Sequence, residues 1–133
     1  MKLLLVSHLG LASGMIKAAQ FIAGKQGNEN HIELDERGIE SFKKRFNEVI
    51  ETFDKNEQIV LVSDIPAGSP GNTALEALMK SDFKFEYLSG MNLGMILDIL
   101  LSGNAAGAKD AAIASIQISN DQTADDEDSD EEF

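Results

Sequence analysis

Two side chains in this 133-residue sequence close apolar runs and are of types suited to group-transfer chemistry. His8 ends Leu3-Leu4-Leu5-Val6-Ser7-His8, and Asp64 ends Ile59-Val60-Leu61-Val62-Ser63-Asp64. An imidazole that accepts a phosphoryl group must turn one ring nitrogen outward with its lone pair, while the other is held as N–H. A carboxylate bonded to that N–H fixes the tautomer and stabilises positive charge on the ring, the part an aspartate plays in a catalytic triad. His8 and Asp64 can divide these roles only if their two runs are parallel, adjacent strands ending at one rim of a sheet.

A turn of small residues follows each run. Leu9-Gly10-Leu11-Ala12-Ser13-Gly14 and Ala67-Gly68-Ser69-Pro70 both open into helical patterns. Unpaired backbone N–H groups and the helix dipole favour an anion at such starts. Gly10, Gly68 and the Ser69 hydroxyl are therefore the expected phosphoryl ligands, because transfer of this kind rests on positioning and electrostatics. Gly90-Met91-Asn92 is expected on the same rim. No second histidine falls in ligand spacing with the carboxylates, so the scheme calls for no metal and no other cofactor. His31 reads as a surface residue at the far end of its own strand.

The elements that must deliver these groups are legible in the hydropathy pattern. Leu3–Val6 suits a strand buried on both faces. Leu11, Met15, Ala19 and Ile22 form one helical stripe, and Gly24 is placed to end it. A second strand is expected at His31–Leu34. Ile39, Phe42, Phe46, Val49, Ile50 and Phe53 then make the clearest amphipathic helix, opposite Lys43, Lys44, Asn47, Glu48 and Glu51. Gln58–Ser63 is the third strand. Ser69 reads as an N-cap with Pro70 at the first helical position, leading a helix through Met79. Phe83, Phe85 and Tyr87 alternate with Lys84 and Glu86 in a fourth strand. Asn92 caps a helix from Leu93 to Leu101 that stops at Gly103, and Ala105–Ala114 is helical. Ser115–Ile118 either extends that helix or forms a last edge strand, and the strand is the reading taken.

Alternation of strand and helix with short loops implies right-handed crossovers and a mostly parallel sheet covered on both faces. The expected fold is thus a doubly wound α/β domain with four parallel strands and a possible antiparallel edge strand at its C-terminal end. Ligands of such sheets lie beyond the carboxyl ends of the strands, where strand order reverses.

Composition narrows the partners. The net charge of −12 sets aside nucleic acid and anionic membranes. Eight of the 23 acidic residues lie in 121–133 without a single base, so residues 1–118 read as the domain and 119–133 as a disordered acidic tail. There is no cysteine, which removes disulfides and thiolate chemistry. The apolar run after Lys2 is far too short for a signal core or a spanning helix, so a cytoplasmic location is expected.

At three places the chain resembles the enzyme IIA domain of the mannose family of the bacterial phosphotransferase system. These are Leu5-Val6-Ser7-His8 with Leu11-Ala12-Ser13-Gly14, Asp64 to Pro70 with Asn72, and Ser89-Gly90-Met91-Asn92-Leu93. The resemblance covers roughly residues 2–118. It implies a homodimer in which a C-terminal strand can be exchanged. It also implies a histidine that takes a phosphoryl group from phospho-HPr and gives it to a IIB component, for uptake through a membrane IIC/IID pair. Carried over, His8 is the phosphorylated residue, Asp64 its orienting partner and Ser69 a phosphoryl ligand. The chain departs from the family pattern at Leu9, where the family has glycine after the histidine. It departs again at Pro66-Ala67-Gly68-Ser69-Pro70, where the family has an aromatic residue followed by Gly-Gly-Ser/Thr-Pro. Pro66 lacks an N–H and Leu9 disfavours positive φ, which bears on how many amides face the phosphoryl group.

Three other readings compete. A similar IIA-like domain serves dihydroxyacetone kinase, and the sequence separates the two poorly. A flavodoxin-like binding or regulatory module would leave His8 structural. A receiver domain, however, wants an acidic cluster after the first strand, and a flavin binder wants flanking aromatics in a chain that has no Trp. A scaffold that dimerises through its C-terminal part needs no site.

Overall fold

Four apolar stretches become four parallel strands of one sheet in the computed structural model, which describes residues 1–121. They are β1 (Lys2–His8), β2 (Glu29–Leu34), β3 (Gln58–Ser63) and β4 (Lys84–Ser89). Between and after them run α1 (Leu11–Ala23), α2 (Gly38–Glu51), α3 (Ser69–Met79), α4 (Leu93–Ser102) and α5 (Ala108–Ala114). The strand order is β2-β1-β3-β4, with every pairing parallel.

Period-two alternation sorts the sheet residues between two cores. Leu3, Leu5, Val60 and Val62 pack with α1, α4 and α5, whereas Leu4, Val6, Ile59 and Leu61 pack with α2 and α3. All eight are fully buried, each contributing about 1.5–3 kcal/mol. Successive connections reverse direction after β2, so right-handed crossovers place α1 on one face and α2 and α3 on the other. The switch point falls between β1 and β3, the strands that carry His8 and lead to Asp64.

The amphipathic α2 buries Phe42, Phe46 and Ile50, and two of these rings stack with centroids 6.2 Å apart. Asn92 caps α4 by accepting from the Met95 amide at 2.9 Å, and its amide group donates to Ala112 O at 2.9 Å, tying α4 to α5. Gly103 ends α4 in the left-handed conformation.

Several expectations are revised. No strand forms at Ser115–Ile118, so the C-terminal edge strand is absent from the described subunit. A strand needs a ladder partner, and no strand of the sheet pairs with this segment, which leaves Ile116 and Ile118 at 74% and 70% exposure. Helix α5 begins at Ala108 rather than Ala105, and β2 begins at Glu29, two residues before the expected start. Of the expected α1 stripe, Ala19 is buried and Met15 packs against the core, but Leu11 is left exposed at the rim, and Ala12 and Ile16 complete the buried face instead. The N-cap of α3 is Gly68, with Ser69 as the first helical residue, because Gly68 has the extended backbone a cap needs. Ser119–Asp121 forms one 3₁₀ turn. The remainder of the expected acidic tail, 122–133, lies outside the described residues.

Candidate functional site

The end of β1 and the end of β3 meet at one rim. Asp64 Oδ2 lies 2.7 Å from His8 Nδ1 and accepts the His8 backbone N–H at 2.9 Å. Its other oxygen accepts from the Ile65 amide at 3.0 Å. The carboxylate is 8% exposed and the imidazole 48% exposed, so the pair has a buried base and an open ring. Burial raises the Asp64 carboxyl, but hydrogen bonds from the His8 amide, the His8 ring and the Ile65 amide outweigh it, and the group settles below its ordinary value. An ionised carboxylate only accepts hydrogen bonds, so Nδ1 is the donor. In the neutral ring the lone pair then sits on Nε2, which has no hydrogen-bond partner among the described residues.

Two buried serines that sequence reasoning passed over hold these ends. Ser7 Oγ donates to Leu9 O at 3.0 Å, and Ser63 Oγ donates to Ile65 O at 3.2 Å. Each hydroxyl thus spans the site residue that follows it. Both serines are 0% exposed, and Ser63 also shares a 2.8 Å hydrogen bond with Tyr87 Oη. The available signal was the Val-Ser repeat directly before His8 and before Asp64.

The two helix starts differ as anion cradles. At α1, the Ala12 amide donates to Ser7 Oγ at 2.8 Å and the Ser13 amide to Glu33 Oε2 at 2.8 Å. The protein's own acceptors therefore fill part of that terminus, leaving the amides of Gly10 and Leu11. Gly10 is the α1 N-cap and is exposed. At α3, Gly68 sits against the imidazole: a Cβ there would lie 3.2 Å from His8 Cε1 and 3.2 Å from Ile65 Cγ1. Cε1 is bonded to both ring nitrogens, so the α3 turn stands against the nitrogen-bearing edge of the ring. Ser69 is exposed, and its side chain makes no capping bond. The Gly90 and Met91 amides both donate to Ser63 O, at 3.0 and 3.1 Å, which locks the third loop onto the end of β3.

Of the expected site residues, then, His8, Asp64 and Gly68 are brought together. Gly10 and Ser69 stand at the two helix starts. His31 is in the middle of β2, not at its far end, and its Nδ1 lies 2.8 Å from Glu33 Oε2. Among the described residues, no group of three or more His, Cys, Asp or Glu side chains is arranged to hold a metal ion. A groove of about 380 Å³ between α2 and α3, lined by Lys43, Phe46, Ile50 and Lys80 among others, does not include His8 or Asp64.

Solved structures of the same architecture come from the bacterial phosphotransferase system. The PTS IIA protein associated with the fucose utilization operon of Streptococcus pneumoniae is 24% identical, the match covering 90% of this chain and 93% of that one, with a TM-score of 0.78. A sugar phosphotransferase system permease from Klebsiella pneumoniae, described there as phosphoenolpyruvate-dependent, is 26% identical over 90% of this chain and 91% of that one, with a TM-score of 0.74. The mannose/sorbose-specific IIA subunit from Enterococcus faecalis is 19% identical over 88% and 92%, also at 0.78. The sequence model of the EIIA-man family matches residues 2–117. With nearly all of its described length inside that match, the chain belongs to the EIIA-man family, the PTS system fructose IIA component.

Proposed function

We propose that this protein is a phosphocarrier that accepts a phosphoryl group from phospho-HPr on Nε2 of His8 and passes it to a IIB component. The observation that carries the reading is the 2.7 Å bond between Asp64 Oδ2 and His8 Nδ1, which leaves Nε2 as the free nucleophile on a half-exposed ring. In the transfer the Nε2 lone pair forms the N–P bond while the bond from phosphorus to the donor's leaving atom breaks, its electron pair departing with that atom. The Nδ1 proton stays between the ring and Asp64, whose charge stabilises the cationic phosphoimidazole. Amides at the α1 and α3 starts, those of Gly10 and Gly68 among them, and the Ser69 hydroxyl receive the equatorial oxygens. Transfer to IIB reverses the same step, and sugar uptake follows through the membrane IIC/IID pair.

The exposed Ile116 and Ile118 support a homodimer in which residues 115–118 find their ladder partner on a second subunit. Residues 1–118 form the functional domain, and the cytoplasm is its place of work. Among the described residues no helix is long and apolar enough to cross a membrane.

Incubation with phosphoenolpyruvate, enzyme I and HPr tests the reading. One acid-labile, alkali-stable phosphoryl group per chain is expected, and none on the His8→Ala variant. Labelling that survives that substitution rules out the site.

A further inference from the structure

Two non-glycine residues of the described chain have positive φ, Leu9 at 47° in the turn after His8 and Ala67 at 59° in the turn after Asp64. A side-chain-bearing residue keeps such a backbone only where its surroundings over-determine it. Both turns are braced by the same device, built differently. Each follows a fully buried serine whose hydroxyl donates to the carbonyl two residues on, Ser7 to Leu9 at 3.0 Å and Ser63 to Ile65 at 3.2 Å. A serine oxygen also accepts, and here the two differ. For Ser7 the donor is a backbone group, the Ala12 amide of α1, at 2.8 Å. For Ser63 the partner is a side chain of the next strand, Tyr87, whose Oη lies 2.8 Å from Oγ. A serine hydroxyl has a single proton. With that proton on Ile65 O, the bond between the two hydroxyls is donated by Tyr87.

The phenol touches both halves of the site. Tyr87 pairs with Leu61 in the β3–β4 register, and its side chain reaches along the sheet face to Ser63. From its hydroxyl a hydrogen-bonded chain leads to the imidazole. Tyr87 donates to Ser63 Oγ, Ser63 donates to Ile65 O, and the Ile65 amide donates to Asp64 Oδ1, whose other oxygen holds His8 Nδ1. The same hydroxyl is also the nearest atom to the Cβ that Gly71 lacks, within the first turn of α3 and three residues after Gly68. Phe83 and Phe85, the other aromatics of this alternation, carry no group that could take either part.

We infer that Tyr87 is a positioning residue for transfer: its hydroxyl, acting through Ser63 and Ile65, sets the Asp64 carboxylate against His8 Nδ1 and spaces it from the α3 turn. The inference rests on the phosphocarrier reading of His8. Without the phenolic O–H, the buried Ser63 oxygen loses its donor and the serine hydroxyl is free to rotate off Ile65 O. Three residues, Ser63, Ile65 and Asp64, stand between Tyr87 and the ring. Its removal therefore changes how fast a bound donor reacts and not how tightly that donor binds.

The test is single-turnover transfer from phospho-HPr to the full chain, followed against phospho-HPr concentration. It compares the parent with Tyr87→Phe and with Ser63→Ala, which cuts the same chain one bond nearer Asp64. In both variants the limiting rate is expected to fall about tenfold, while the half-saturating concentration stays within about twofold of the parent. In the Asp64→Asn background, Tyr87→Phe is expected to slow transfer by less than about twofold more, because the carboxylate it positions is gone. A parental limiting rate in either single variant overturns the inference. So does an equal fractional loss with and without the Asp64 carboxylate, which would make Tyr87 act elsewhere. If phospho-HPr does not label His8 in the parent, the phosphocarrier reading fails and takes the role of Tyr87 with it. Normal labelling of the parent beside an unslowed Tyr87→Phe defeats that role alone.

Discussion

One oxygen of Asp64 binds His8 twice, taking the backbone N–H at 2.9 Å and facing ring Nδ1 at 2.7 Å. Main chain and ring are thereby referenced to the same atom, and the imidazole cannot rotate without losing its bond to a carboxylate already fixed by Ile65. For the phosphocarrier role proposed above, this is the preorganisation a transfer centre needs, because no bond would have to rearrange before Nε2 attacks.

Asp64→Asn keeps the shape and removes the charge. The variant is expected to fold normally, with a far-ultraviolet circular dichroism spectrum matching the parent. Single-turnover transfer from phospho-HPr should slow by about 100-fold, within the range of positioned proton-holding groups. A rate within twofold of the parent would show that the carboxylate does not act on the ring.

The depressed Asp64 carboxyl also sets a pH dependence. Its ordinary value is 3.8 and its folded value is lower. Between the two, the unfolded chain binds the proton first, so stability falls as pH falls through that interval and is fully present above about 3.8. Urea midpoints for the parent and Asp64→Asn, measured from neutral pH to pH 3, should converge as acid is added. A constant difference would show that the native pair contributes nothing through this carboxyl.

Ser7→Ala removes a fully buried hydroxyl that bonds Leu9 O and the Ala12 amide. Leaving those groups without their partner should cost about 1–3 kcal/mol in chemical denaturation. Because Ser7 holds the residue after His8 in its left-handed conformation, phosphorylation from phospho-HPr should slow as well. A variant that loses stability but transfers at the parent rate would separate the Leu9 conformation from function.

Gly71 packs where Tyr87 Oη and the Ser63 side chain leave no room for a Cβ, with Ser63 Cβ and Oγ both 2.9 Å from its ideal position. Gly71→Ala is expected to destabilise by about 1–3 kcal/mol through overpacking. The double variant Gly71→Ala/Tyr87→Phe removes the nearest atom and should recover part of that loss. Equal stability of single and double variants would place the clash elsewhere.

The α2 stripe from Phe42 to Ile50, the β3 run and the Asn92 cap were all readable because each depends on residues within a turn or two of one another. Periodicity records which face meets water, and a cap needs only its own helix. The pairing of His8 with Asp64 was readable at one remove: two apolar runs with the same ending imply neighbouring strands in a doubly wound sheet. Beyond that distance the sequence is silent. Glu33 fills part of the α1 start because the β1–β2 register sets it opposite Ser7, and Gly68 touches the imidazole because α3 returns over the end of β3. The missing C-terminal strand has the same cause in reverse, since Ile116 and Ile118 alternate as a strand should but no edge in the subunit pairs with them. Local pattern determined which elements form and which two residues end them. Only the tertiary structure decided which amides remain free and which side chains close around the His8–Asp64 pair, because each depends on register between segments far apart in the chain.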